Sequence, residues 1–214
     1  MKKGCILCLL ISVISLPLIA QNIIYSNLKE LLTQHGDTTA VLRVEKRSRN
    51  QIVLTGGADY RITAGDDESM CRCLKKRCFA VRDEKGNLYL NCRKLRYKKL
   101  RFGAWYAPAV QLGKNIYFCA MPLGSVIGGN FVEEDDVKLG GNIGDALAAS
   151  SLVTKRVCYE LNGETGKVDF LGKDRMLQLL KNYPELKQAY LKDDSQEAKH
   201  TFKYLLELQN NQKK

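Results

Sequence analysis

Hydrophobic and polar positions change period several times along this chain, and each change predicts an element. In and just before "SNLKELLTQHGD", Ile24, Leu28, Leu31 and Leu32 fall at helical spacing, with Ser26 to cap the segment and Gly36 to end it, so a short N-terminal helix is expected. "TAVLRVEKRSRNQIVL" alternates instead: Ala40, Leu42 and Val44 face one way, Arg43, Glu45 and Arg47 the other. That pattern predicts strand, turn and strand, with the bend at "SRN". A further strand is expected over Tyr60 to Thr63. Asp66 or Asp67 then caps a helix that carries Cys71, Leu74 and Cys78 on one face and turns its cations outward.

"CFAVR" and "LYLNC" read as a hairpin around "DEKGN". If Lys85 is its centre, Ala80 faces Leu90 and Arg82 faces Leu88. By the same register Cys78 faces Cys92, within reach of a disulfide. "RKLRYKKLRFGAWYAPAVQL" continues as interrupted strands in which the doubled Lys98-Lys99 marks a bulge. "LGKN" is a hairpin turn into "IYFCAMP". "VCYELNGETGKVDF" is the clearest hairpin, with Tyr159 and Leu161 before the turn and Val168 and Phe170 after it. The C-terminal part, 173–210, is expected to be helical. Asp174 caps "RMLQLLKNY", Pro184 suits the first turn of "PELKQAYLK", and Asp194 with Glu197 forms a capping box before "AKHTFKYLLEL". The fold class that follows is α+β: a mostly antiparallel sheet over about 39–170, a short N-terminal helix, and C-terminal helices packed on the sheet.

The first residues add a compartment. "MKKGCILCLLISVISLPLIAQ" has the cationic start and short apolar run of a secretory signal peptide, with cleavage expected after Ala20. Leu18 is larger than the usual small residue of a cleavage site, which leaves an uncleaved anchor as the alternative. Residues 21–214 then form one expected domain of 194 residues, ample for a real core and without a Pro- or Ser-rich linker. No later apolar run reaches the length of a membrane span.

Charge sharpens the picture. The formal net charge is +11, and residues 72–101 hold twelve Lys or Arg against only Asp83 and Glu84. Such a concentration speaks to partners rather than to fold. In "RKLRYKKLRFGAWY", Arg93, Lys94, Arg96, Lys98, Lys99 and Arg101 interleave with Tyr97, Phe102, Trp105 and Tyr106. Nucleic-acid binders use that mixture. An exported protein seldom meets nucleic acid, so an anionic lipid headgroup or glycan is the expected partner. An amphipathic edge strand whose cations discourage aggregation is the plainer explanation.

Chemistry is sparse. Six cysteines follow Gln21, and an even number in an oxidising compartment permits disulfides. Cys78–Cys92 is the pairing the register favours, while small buried thiols remain the alternative. Cys119 and Cys158 lie in strand patterns and look like core either way. The spacing C-x-C-x₄-C with a lone Cys92 is a poor zinc pattern, and neither metal nor cofactor is inferred. His35 and His200 are the two histidines, both expected in structural or exposed roles. No nucleophile-elbow, zinc-protease or phosphate-loop motif occurs. The glycine-rich stretch 122–151, with "EEDD" at Glu133 to Asp136, reads as a loop.

"NLYLNCRKLRYKKLRFG" and "YELNGETGKVDFLGKDRMLQLLKNYPELKQAYL", with the signal sequence, resemble exported Gram-negative bacterial proteins known as a domain of unknown function. The resemblance implies one secreted domain and carries over no active-site residue. The expected function is therefore a non-enzymatic, envelope-associated protein that binds an anionic partner through Arg93, Lys94, Arg96, Lys98, Lys99 and Arg101, with Tyr97 and Trp105 alongside. The alternative is a secreted hydrolase with its site near the glycine-rich loop.

Overall fold

A computed structural model describes residues 21–39, 41–48, 51–52, 57–98, 100–120, 156–193 and 198–212. The signal-peptide segment, Lys99, the glycine-rich stretch 122–151 and the Asp194–Glu197 capping box lie outside the described residues.

The protein is α+β, and every strand pairing among the described residues is antiparallel. Strands β1 (Asn22–Tyr25), β2 (Asp37–Thr39), β5 (Ala80–Arg82), β6 (Leu88–Asn91), β9 (Tyr106–Leu112), β10 (Asn115–Ala120), β11 (Val157–Leu161) and β12 (Val168–Phe170) form one sheet in the order β12-β11-β10-β9-β6-β5-β1-β2. Strand β3 (Arg43–Lys46) pairs with β4 (Tyr60–Thr63), and β4 joins β9 where Tyr60 meets Tyr106. Strands β7 (Arg96–Tyr97) and β8 (Leu100–Arg101) make a separate two-stranded hairpin. Helix α1 is Leu28–Thr33 and α2 is Glu68–Lys76; α3 (Lys173–Leu179), α4 (Pro184–Lys192) and α5 (Ala198–Gln212) close the chain.

Both faces of the sheet are buried, and the period-two alternation decides which residue goes where. On one face Tyr25, Ala80, Leu90, Ala107, Ile116, Phe118, Tyr159 and Leu161 pack with Leu31 of α1 and with Leu95, Tyr97 and Phe102 from the β7–β8 region. We call this the hairpin face. On the other, the helix face, Leu74 of α2 packs on Ile24, Val81, Tyr89 and Tyr106. Farther along that face, Met176 of α3, Leu180 just after it, and Tyr204, Leu205 and Leu208 of α5 cover Val110, Leu112 and Tyr117.

The helix ends follow from their capping chemistry. The Asp67 carboxylate accepts from the Met70 N–H at 2.9 Å, and Lys75 and Lys76 sit in the last turn, where cations suit the helix dipole. For α1 the cap is Asn27, whose side chain accepts from the Glu30 N–H at 2.9 Å, rather than Ser26. Gln34, at φ 56°, turns the chain out of α1 instead of Gly36. Gly36 is needed for a different reason: a Cβ there would run into the Ile24 carbonyl and the Ile23 side chain of β1.

Three expectations change. Among the described residues after the "SRN" bend, Gln51 and Ile52 are helical and do not pair with β3. Ser48 and Gln51 hydrogen-bond each other in a helical turn, and β4 is the partner. Helix α3 has Gly172 at its N-cap, with Asp174 inside the first turn. Lys98, at φ 51°, belongs to the turn between β7 and β8, not to a bulge.

The Cys78–Cys92 pairing is also corrected: both thiols are free and buried. The expected register does hold, with Ala80 opposite Leu90 and Arg82 opposite Leu88. It fails to extend because Phe79 and Ala80, neighbours in the chain, both pack toward the hairpin face. The alternation slips by one residue, Cys78 turns to the helix face, and Cys92 stays on the hairpin face. Burial pushes the Cys78 thiol up to about 11.

The disulfide is instead Cys119–Cys158, a directly opposed pair on β10 and β11 with Cα atoms 4.2 Å apart. It closes a sequence separation of 39 residues, which in the chain-entropy model stabilises the fold by about 4 kcal/mol. Protein beginning at Gln21, denatured without reductant, is therefore expected to show four reactive thiols in a colorimetric count, and six after reduction. A Cys119→Ala, Cys158→Ala double variant should lower the denaturant midpoint by an amount equivalent to about 4 kcal/mol, and should leave four thiols under both conditions.

Candidate anion-binding surface

The β7–β8 segment is built by in-and-out alternation on a hairpin too short to stand alone. Tyr97 and Phe102 turn inward and join Phe118 and Tyr159 in a cluster of four rings. Phe102 lies 5.4 Å from Phe118 and 4.8 Å from Tyr159, and Tyr97 lies 5.5 Å from Tyr159. With the rings in, the cations must go out. Arg93, Lys94, Arg96, Lys98 and Arg101 are all exposed. Arg96 and Arg101 are directly opposed across the hairpin, and Lys98 reaches over the Tyr97 ring at 5.4 Å. Among the described residues, none of these five cations has a salt-bridge partner.

The eight residues expected to bind thus divide. Five are exposed cations on the hairpin-face side, and Lys99 lies outside the described residues. Tyr97 is corrected: it is 3% exposed, and its ring belongs to the core rather than to a binding surface. Phe102 and Tyr106 are buried as well, so the interleaving of aromatics and cations records which side chains point inward. Trp105 is half-buried at the edge of the core. Four other cations of the basic stretch do not join this group. Arg72, Lys75 and Lys76 are exposed on α2 and Arg77 just after it, and α2 covers the opposite face of the sheet. Asn91 holds the two groups at one end of the sheet. Its amide donates to the Leu74 carbonyl at 3.1 Å and the Cys78 carbonyl at 2.8 Å, while its oxygen accepts from the Arg93 N–H at 3.1 Å.

Trp105 sits among charges that no local motif announces. Its φ is 77°, a left-handed conformation that bulky residues rarely adopt. The backbone around it interlocks. The Ala58 N–H donates to the Ala104 carbonyl at 3.0 Å, and the Cys92 N–H donates to the Trp105 carbonyl at 2.9 Å. Gly57, at φ 81°, has no room for a side chain, because a Cβ would strike the Ala104 carbonyl. The Arg47 and Arg61 guanidinium groups lie 5.4 and 5.5 Å from the indole. Arg47 is 8% exposed and donates to the Ala58 carbonyl at 2.6 Å and the Gln51 carbonyl at 3.0 Å. Arg61 is exposed. Although it stands opposite Glu45 in the β3–β4 ladder, it lies over the indole and forms no ion pair with that carboxylate. Next to this group Arg156 grips Asp59 with two nitrogens, Nε donating at 2.6 Å. Burial draws the Arg47 guanidinium below its ordinary value; Asp59 opposes that shift and Arg156 adds to it.

A second polar centre lies on the helix face near the sheet edge. Glu160 is 9% exposed and accepts from Asn115 at 2.6 Å, Tyr117 at 3.0 Å and Arg175 Nε and Nη2 at 2.8 Å each. An open cavity of about 420 Å³ adjoins it, lined also by Thr165, Lys167 and Asp169. Burial alone would raise the Glu160 carboxyl, but the Arg175, Tyr117 and Asn115 hydrogen bonds outweigh it and hold the group below its ordinary value. A carboxylate so committed to structure is a poor proton donor. His35 contacts the Thr33 carbonyl at 2.6 Å, and His200 contacts Asp193 at 2.9 Å. Among the described residues no group of three or more His, Cys, Asp or Glu could hold a metal ion, and no helix is long and apolar enough to cross a membrane. The stretch expected to overlie a hydrolase site is outside the described residues.

These features define an α+β protein whose antiparallel sheet is covered by helices on one side and by a cation-bearing hairpin on the other. The chain belongs to the family described as a family of unknown function (DUF6563), which matches residues 23–212. No curated protein and no solved structure matches it.

The Glu160 network predicts a pH dependence. Its carboxyl is depressed in the folded state, so its stabilisation is fully present above the ordinary value near 4.5 and is lost as pH falls through the folded value. Glu160→Gln should cost about 1–3 kcal/mol at neutral pH. Denaturant titrations from neutral pH to about pH 3 should show the gap between wild type and variant narrowing as the pH drops below that ordinary value.

Proposed function

We propose that the protein is non-enzymatic, is exported through its N-terminal segment to the periplasm or envelope of a Gram-negative bacterium, and there binds an anionic partner, a lipid headgroup or glycan. Arg93, Lys94, Arg96, Lys98 and Arg101 make the contact, with Lys99 beside them in sequence. The observation that carries this reading is the hairpin itself: five exposed cations on one short segment, none in a salt bridge among the described residues. Opposed like charges destabilise a ladder, and Arg96 faces Arg101. A surface that keeps such a pair is easier to understand if an anion relieves it. Where the chain leader would deliver the protein, anionic headgroups and polysaccharides are abundant sources of that charge.

Retention on vesicles of anionic phospholipid and on a sulfated polysaccharide matrix tests the reading. Retention on at least one is expected near 0.1 M salt and should be lost near 1 M, where the screening length falls from about 10 Å to about 3 Å. Replacing Arg93, Lys94, Arg96, Lys98 and Arg101 by Glu should abolish it at low salt. Binding to neither surface, or binding that survives both the salt and the charge reversal, overturns the reading.

A further inference from the structure

The group around Trp105 has features that a solubilising charge does not need. Two guanidinium groups, from Arg47 and Arg61, lie over one indole, with the Arg156–Asp59 pair close to Arg47. The indole they flank is held in a left-handed conformation by backbone hydrogen bonds on both sides. Strained backbone of this kind persists only where its surroundings enforce it, and it concentrates at ligand sites. Arg61 leaves its cross-strand neighbour Glu45 unengaged and presents an exposed guanidinium at the ring.

We propose that Arg61, Trp105 and the outer edge of Arg156 form a discrete site for a tetrahedral oxyanion, a phosphate or sulfate monoester group. The proposal deepens the anionic-partner reading by naming the group that is recognised, and it rests on that reading for its biological source. Each residue has a separate part. Arg47, buried and tied to the Ala58 and Gln51 carbonyls, is a positioning residue that fixes the indole from the protein side. Arg61 supplies charged donors to the anion, in the forked geometry that suits phosphate and sulfate oxygens. Asp59 holds Arg156 through Nε and Nη2, which leaves Nη1 of Arg156 with no protein partner among the described residues. The Trp105 ring, with Arg61 over it, orients that guanidinium toward the anion. The alternation of β3 and β4 sends Val44 and Ile62 to the helix face, so Arg47 and Arg61 come out on the same side of the sheet as the β7–β8 hairpin. An anion held at Trp105 therefore belongs to a partner that also lies across the hairpin cations.

Trp105 is the only tryptophan in the chain, so its emission reports on the site directly. The experiment titrates the protein with inorganic phosphate while sodium chloride holds the ionic strength constant, and follows indole fluorescence. A saturable change is expected. Glycerol 3-phosphate and a hexose 6-phosphate form two further arms. Tighter binding of the first assigns a lipid headgroup as the source, and tighter binding of the second a glycan. Arg61→Gln should weaken phosphate binding about tenfold, the cost of one charged hydrogen-bond partner, and Arg61→Lys should weaken it less. Arg61 is exposed, so neither variant threatens the fold. The absence of a saturable response beyond the chloride control overturns the proposal. So does a response that Arg61→Gln leaves unchanged. The titration contains no vesicle or polysaccharide. Phosphate binding without retention on those surfaces sinks only the partner reading, and retention without a phosphate response sinks only this site.

Discussion

Phe102 meets Phe118 and Tyr159 edge-on, and Tyr97 closes against Tyr159; the surface of the protein depends on this contact. Strands β7 and β8 have two residues each, far too few to hold a hairpin by backbone hydrogen bonds. Burial of a large apolar side chain is worth about 1.5–3 kcal/mol, and a favourable ring pair adds about 0.5–1.5 kcal/mol. The rings are therefore what pins the segment to the sheet. Once they are buried, alternation leaves the arginines and lysines no direction but outward. The exposed charge follows from hydrophobic anchoring.

The legible parts of the fold were those in which a short turn ties two strands together. The β5–β6 and β11–β12 hairpins have their register written around a recognisable centre, and both pair as the alternation implies. The same reasoning could not find Cys119–Cys158. Thirty-six residues separate β10 from β11, so no turn centre exists from which to count. It overreached at Cys78 because an alternation read from sequence assumes continuous strand, and Phe79 interrupts it. The candidate site was legible only in part. Cations crowded into thirty residues are visible in a sequence. The gathering of Arg47 and Arg61 over one indole, with the Arg156–Asp59 pair close by, is not, since Arg156 and Asp59 stand 97 positions apart. The Gly103-Ala104 step before Trp105 is the one local mark of an irregular backbone, and it does not say what that backbone holds.

Charge in this protein is sorted by the sheet. The α2 cations and the hairpin cations are close in sequence, yet the sheet and its two buried layers lie between them. Charges separated by more than about 8–10 Å in physiological salt act almost independently. Among the described residues the α2 cations and the hairpin cations thus stand apart, and of the two only the hairpin group has an aromatic ring and buried arginine support beside it. On the helix face, by contrast, Arg175 is consumed by Glu160, and that pairing is structural.

The covalent rung between Cys119 and Cys158 ties β10 to β11 by a second route, independent of the polypeptide that runs between them. Because the two strands are clamped before that stretch begins and after it ends, a peptide transplanted between them would enter and leave from a fixed platform. The same clamp would let a protease nick the excursion and still leave a single molecule, held together through sulfur instead of backbone.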